Sequence, residues 1–294
     1  MTGNMQHPDR PVRGIVLMMA AVLFIAGQEA IAKHLTQEGL PLSQVIWARY
    51  ASHLLLMLLF LLPRDGLSVF RSTRPVAQVG RSMLLLIDTI LYFLALTFLS
   101  LVEVTAIVFV APIMVVLLAK PLLGETLTAR RLIAALVGFV GVLIIVRPGF
   151  DGLSWPALLV IGSAICIALF SLATRRMRSV DPSRVTMLYT ALVGTVAASC
   201  WVPFEWVAPS LEHWALMIAI GVLGGTGHGL LIVAHQDAPA STIAPFMYIQ
   251  ILWALGLGWI VFGDWPDIAT FIGAAVIIAG GLTVLTGEAR RRRA

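Results

Sequence analysis

Long apolar runs separated by short polar turns set the pattern of this chain. Ten such runs can be drawn, at about 13–33, 42–62, 76–99, 101–119, 129–147, 154–174, 184–204, 213–235, 241–261 and 267–286. Each is close to the ~20 residues an α-helix needs to cross a hydrocarbon core of ~30 Å. The connections carry turn chemistry: Glu38-Gly39-Leu40-Pro41, Pro63-Arg64-Asp65-Gly66, Arg147-Pro148-Gly149, Asp181-Pro182 and Asp264-Trp265-Pro266. No connection is long enough for a soluble domain. The least marked boundary falls at Ser100, between the third and fourth runs.

Composition agrees with the pattern. The 294 residues are 59% apolar and 12% charged, with a mean hydropathy of +0.95, whereas a soluble chain is roughly a quarter charged. The sequence therefore predicts an all-α integral membrane protein of ten transmembrane helices. Nine further runs follow the first, which makes it a span and not a cleaved leader. The net charge of +5 does not point to nucleic acid, because the basic residues sit in short turns. Cys166 and Cys200 both fall inside apolar runs and are expected to be small buried residues, not a disulfide or a metal site.

The basic residues also predict an orientation. With the N-terminus inside, the inner turns collect Arg10, Arg13, Arg64, Arg71, Arg74, Arg81, Lys120, Arg130, Arg131, Arg175, Arg176, Arg178, Arg184 and Arg290 to Arg293. The outer turns receive only Lys33 and Arg147, and Arg49 lies within a helix. This positive-inside bias places both termini in the cytoplasm.

The pattern also repeats. Val102 to Arg147 reads as an apolar helix with a central proline, a charged turn Leu123-Gly124-Glu125, and a second helix with spaced glycines. Thr242 to Leu285 repeats that plan around Phe262-Gly263-Asp264; Gly124 and Gly263 are 139 residues apart, as are Gly141 and Gly280. Weaker echoes join Ala32-Lys33 to Thr174-Arg175 and Pro41 to Pro182. The units expected are 12–148 and 151–287, each of five helices, followed by a basic tail at 288–294. Five is odd, so the second unit enters the membrane from the opposite side. Such a 5+5 inverted-topology repeat is the mark of alternating-access carriers, although duplication can also serve only to build a stable bundle.

These motifs resemble a known family. Ala111-Pro112, Leu123-Gly124-Glu125, Arg130-Arg131, Gly138-Phe139-Val140-Gly141-Val142 and Arg147-Pro148-Gly149 are similar to the EamA domain of the drug/metabolite transporter superfamily. Ala238-Pro239-Ala240, Ala244-Pro245-Phe246-Met247-Tyr248, Phe262-Gly263-Asp264 and Gly280-Gly281 are the second copy; it has Gln250-Ile251 where the first has Ala111-Pro112. The resemblance implies a ten-helix carrier of small metabolites, among them amino acids, riboflavin and S-adenosylmethionine. It also implies a central cavity lined by helices one, three, four, six, eight and nine, with helices five and ten peripheral. Gln28 to Lys33, with Trp47-Ala48-Arg49-Tyr50, looks like the subgroup of riboflavin and S-adenosylmethionine uptake carriers.

Candidate residues follow from polarity at membrane depth. Glu29, Arg49 and Asp88 lie within apolar runs, where each charge costs about 2.5–3.5 kcal/mol at the bilayer centre and must face the interior. Two readings stand. Either Glu29–Lys33 and Asp88–Arg49 neutralise each other, with His53 sharing the face of Arg49, or Asp88 and Glu29 face a cavity and bind a substrate cation or a coupling proton. Tyr92 is one turn from Asp88 on the same face. Phe109, Tyr248, Gln250 and Trp253 complete an aromatic, amide-bearing lining, and His228 is either a satisfied core residue or a further lining donor. Pro112 and Pro245 remove backbone donors to Val108 and Ser241, which bends their helices as hinges or as static kinks. Gly221, Gly225 and Gly229, with Gly224 and Gly227 beside them, form a small-residue face for close packing; Gly138, Gly141, Gly256 and Gly258 are expected to pack likewise.

No phosphate-cradling G-x-x-x-x-G-K-[ST], H-E-x-x-H or G-x-S-x-G motif occurs. The chain thus reads as a secondary carrier without metal or cofactor, working in the lipid bilayer of the inner membrane. Riboflavin or another aromatic, amphiphilic metabolite is the first substrate expected, with S-adenosylmethionine or amino acids behind it. A homodimer is left open. The rival from another class is a membrane-embedded enzyme on a lipid-linked substrate, with Asp88, His53 or His228 as acid and base.

Overall fold

The structure is a computed structural model, and it describes residues 10–99, 104, 107–146, 155–257 and 268–291. Ser100, Arg147 to Gly149, Gly258, Phe262 to Pro266, Arg292 and Arg293 lie outside the described residues. The described chain is helical: α1 (Pro11–Gln37), α2 (Leu42–Asp65), α3 (Pro75–Ala95), α4 (Ala111–Leu123), α5 (Ala129–Val146), α6 (Trp155–Met177), α7 (Ser183–Ser199), α8 (Leu211–Asp237), α9 (Ala240–Ile243), α10 (Ile249–Leu257) and α11 (Ile268–Arg291). Six helical stretches among the described residues are long and apolar enough to cross a bilayer, and they include α1, α2, α3, α6, α7 and α8.

Prolines and glycines punctuate these helices. Pro11 and Pro75 open α1 and α3, where the missing N–H is free of cost. Gly124 closes α4 in the left-handed conformation (φ 69°), and the amide of Glu125 reaches back to the carbonyl of Ala119 at 3.3 Å. Only glycine takes that conformation without strain.

Helices four and nine differ from the sequence reading. Each was expected as one continuous span. Instead a turn at Phe109–Val110 precedes α4, so Pro112 sits in the first turn of a new helix. The ninth helix is in three pieces: α9, a 3-10 stretch Ala244–Tyr248 containing Pro245, and α10. Proline cannot donate to the preceding turn, and the freed carbonyls are tolerated at depth because protein covers them.

The ends of the helices sort to two faces. On one, Arg13 meets Asp237 at 3.4 Å, Arg184 meets Asp65 at 3.5 Å and Arg175 meets Glu125 at 3.3 Å. Asp181 there accepts from Ser72, Thr73 and Gln78. Burial pushes the Asp181 carboxyl up, but these bonds outweigh it and hold it below its ordinary value. On the other face Phe98 meets Trp155 edge to face, Ser43 donates to Glu205 at 2.7 Å and Trp47 to Ser199 at 3.0 Å. So α1 begins on the arginine-bearing face and α6 on the opposite one.

The core is built by close approach to α8. A Cβ on Gly221 or Gly225 would overlap Ser52 or His53 of α2; one on Gly224 or Gly227 would overlap Gln28 or Ile25 of α1; one on Gly229 would overlap Met187 of α7. Gly141 and Gly138 are equally tight, against Ile277 and Tyr248. Gly256 is not, having nothing within 4 Å of its Cβ position. The cysteines also depart from expectation: Cys200 is exposed, in the turn directly after α7, and Cys166 is half-buried on α6. The stripe gives a direct test. Gly227→Val places a Cβ 2.9 Å from Ile25 and should lower stability by about 1–3 kcal/mol. Gly256→Ala should leave the thermal melting of the purified protein unchanged.

Candidate functional site

A cavity lies in the middle of the bundle. It encloses about 690 Å³ of non-atom space with its open mouth included. Helices α1, α2, α3, α4, α6 and α8, the 3-10 stretch and α10 all reach it. Of the predicted residues, Glu29, Arg49, Asp88, Tyr92, Phe109, Pro112, His228 and Gln250 line it.

Local sequence explains who meets whom. Glu29 of α1 accepts from the Gln250 amide through both carboxylate oxygens, at 3.0 and 2.9 Å. It does not pair with Lys33, which lies one turn further on in a separate hollow lined also by Thr36, Gln37, Phe93 and Thr97. Spacing along one helix permits a pair, but the Gln250 amide offers Glu29 a donor inside protein, whereas Lys33 stands nearer the helix end.

Asp88 of α3 accepts from the Ser163 hydroxyl of α6 at 2.6 Å, not from Arg49. The Arg49 guanidinium donates to Thr89 and to Nε2 of His228, the latter at 2.6 Å, and lies 5.0 Å from the centre of the Tyr50 ring. A guanidinium only donates, so Nε2 of His228 is the acceptor and its proton is on Nδ1. That Nδ1 is buried without a protein partner. Expected charge pairs are thus replaced by charge–dipole contacts, each holding one ionisable group at the wall.

Three residues fall behind the lining. Tyr248 is fully buried, its ring 5.4 Å from Phe109 and against Gly138, with its hydroxyl unpartnered. Trp253 donates to the Met19 carbonyl at 3.1 Å and braces α10 on α1. His53 packs on Gly225, away from the cavity, with Nε2 unpartnered. His53 thus lies outside the cavity, whereas His228 reaches it and is held by Arg49.

Several residues escaped sequence reasoning. Thr89 and Gln28 each adjoin a residue already singled out, Asp88 and Glu29, and that adjacency was the available signal; Ser163, 75 residues from Asp88, gave none. Arg81 counted as an inner-surface charge; it is 2% exposed within α3 and donates to Thr174 at 3.2 Å, Thr190 at 2.5 Å and the Thr186 carbonyl at 2.7 Å. Its guanidinium also lies 4.9 Å from the Phe170 ring, which neighbours His228. Glu125 was read only as a turn residue. It accepts from the backbone of Ala240 and Ser241 at 3.0 and 3.2 Å, from the Ser241 hydroxyl at 2.8 Å and from Arg175 at 3.3 Å.

A membrane-spanning helical bundle around a charged and aromatic cavity defines a multi-pass carrier of small molecules. The chain belongs to the EamA-like transporter family, whose model matches residues 12–147 and again 154–286. It is a transporter and not an enzyme, as the sequence motifs implied. A riboflavin transporter of Rhizobium johnstonii is 27% identical over 98% of this chain and 95% of its own. An S-adenosylmethionine uptake transporter of Rickettsia prowazekii is 25% identical over 76% of each chain. A pseudopaline exporter of Pseudomonas aeruginosa is 28% identical over 90% of this chain and 93% of its own. One crystal structure shares the fold with a TM-score of 0.79 and 22% identity, covering 96% of this chain and 99% of the other.

Arg49 holds two walls of the site. Arg49→Met removes the donor to both Thr89 and His228, and should lower stability by about 1–3 kcal/mol, the cost of stranding buried acceptors. Arg49→Lys should recover only part, because an ammonium lacks the planar fork that serves both partners; thermal melting of the two variants checks this.

Proposed function

We propose that this protein carries a small, ring-bearing amphiphilic metabolite across the inner membrane by alternating access of two inverted halves, 12–148 and 151–287, with both termini in the cytoplasm. The observation that carries the reading is the cavity itself: flat aromatic walls from Tyr92 and Phe109 beside isolated charges on Glu29, Arg49 and Asp88. Riboflavin and S-adenosylmethionine, named for two relatives, both combine a flat ring with polar groups.

Helix packing supports the inverted halves. α1 packs antiparallel on α8, and α6 packs antiparallel on α3; exchanging the halves turns one pair into the other. The contacts α1 with α10 and α6 with α4 exchange likewise, while α2–α7 and α5–α11 each map onto themselves. The arginine-bearing face supports the orientation, since basic residues are retained on the cytoplasmic side.

Two features support alternating access. On the arginine-bearing face Glu125 ties the α4–α5 turn to the start of α9, and Arg175 of α6 joins it while donating to the carbonyls of His235 and Gln236. On the opposite side the hollow beside Lys33 shares Phe93 with the cavity. The conformation is therefore read as closed toward the cytoplasm, with Glu125 as the clasp. Hinges at the breaks before Pro112 and around Pro245 would let the ends of the fourth and ninth helices swing.

Reconstitution decides the function. Labelled riboflavin or S-adenosylmethionine should accumulate only in sealed proteoliposomes, and Asp88→Asn should abolish that uptake while the protein stays folded. Conversion of substrate in detergent, with no compartment, would instead favour the membrane-enzyme alternative. The clasp has its own test, in a chain with Cys166 and Cys200 changed to serine. Glu125→Gln should raise labelling of Leu231→Cys by an impermeant maleimide from the arginine-bearing side about tenfold, as expected for losing ~1.4 kcal/mol of charge-assisted bonding. Unchanged labelling sinks the clasp.

A further inference from the structure

We propose that the cavity selects a guest of net positive charge, a flat ring carrying an ammonium or sulfonium centre that seats against the free oxygen of Asp88. This rests on the carrier reading above and goes beyond it, because the relatives' named substrates differ in charge.

The argument begins with the charge balance. The ionisable groups reaching the cavity are Glu29 from α1, Arg49 from α2, Asp88 from α3 and His228 from α8; Cys166 of α6 also lies within the field of Asp88. His228 accepts from Arg49 and is neutral. Two carboxylates then face one guanidinium, so the ionised site is one positive charge short. None of the three closes an ion pair with another; each is held by a neutral group, Gln250 for Glu29, Ser163 for Asp88, Thr89 and His228 for Arg49. An excess charge at membrane depth is stabilised by a partner that brings the opposite one.

The donors and acceptors point the same way. Arg49 already spends its guanidinium on two side chains and the Tyr50 face, so an anionic guest would find it engaged. Asp88 spends only Oδ1, on Ser163. Oδ2 makes no hydrogen bond, and it is not among the buried unpartnered atoms, so it meets cavity space. Tyr92 and Phe93 follow Asp88 on α3, and Phe109 stands on the adjoining wall. Aromatic faces attract cations electrostatically and stack on flat rings. A polyanion would instead confront two carboxylates with no free cation, which is a repulsive element against the wrong guest.

The test compares three probes on the purified full-length chain by calorimetry and thermal shift. S-adenosylmethionine bears a sulfonium charge; S-adenosylhomocysteine has the same ring without that methyl and its charge; riboflavin is a neutral ring. The cation should bind about tenfold or more tightly than its neutral counterpart, a difference of ~1.4 kcal/mol. Asp88→Asn should erase that preference and Asp88→Glu keep it. Equal binding of the sulfonium and its neutral counterpart overturns the proposal. So does riboflavin bound better than the cation and equally well by Asp88→Asn, an outcome that leaves the carrier reading standing. Silence from all three probes overturns the ring-metabolite reading and the charge inference with it. Should Asp88→Asn fail to fold, the comparison within the methyl pair on the unaltered chain still decides.

Discussion

Everything in this bundle depends on how near α8 can come to α1 and α2. Five glycines strip one helix of side chains where its neighbours cross, and backbone meets side chain at distances no larger residue could share. Water-driven burial does not assemble helices inside a membrane; dispersion contacts and a few polar bonds do, and both fall off steeply with separation. The approach also delivers His228 to Arg49. Were α8 held off by a β-carbon, the guanidinium would lose His228 as an acceptor and keep only Thr89. Packing and electrostatics therefore share one cause here.

The second constraint is the interruption of helices four and nine. A continuous helix satisfies its own backbone and presents a closed surface. Breaking both frees polar groups and lets Gln250 turn onto Glu29 and Phe109 onto Tyr248. At the start of the ninth helix the free amides of Ala240 and Ser241 find Glu125, a carboxylate supplied by the turn after α4. The family motif Leu123-Gly124-Glu125 thereby gains a physical account. Glycine stops the helix in a left-handed turn, and the residue after it is aimed at another helix's start.

Much of the fold was legible along the chain. Helix boundaries followed from apolar run length and from proline and glycine at the turns, since a bilayer leaves the backbone few alternatives. The cavity residues Glu29, Asp88, Tyr92, Phe109 and Gln250 were legible too, because polar groups in apolar runs must face inward. Their partners were not. One of the two readings paired Glu29 with Lys33 and Asp88 with Arg49 on spacing and charge, and the bonds formed are to Gln250, 221 residues away, and to Ser163, 75 away. Arg81 misled for the same reason: near a helix start it looked like a surface charge, whereas the threonines of α6 and α7 that bury it are distant in sequence.

The sequence by itself determined the class of molecule, the family and the residues that must avoid lipid. These rest on local quantities, hydropathy over a turn-bounded run and the side chain at each step, which no later contact can revise. Only the tertiary structure decided which polar group answers which, that Arg49 is spent on His228 and Thr89, and that Asp88 keeps an oxygen free. A hydrogen bond needs two groups within about 3 Å, and only the packing of helices far apart in the chain brings them there.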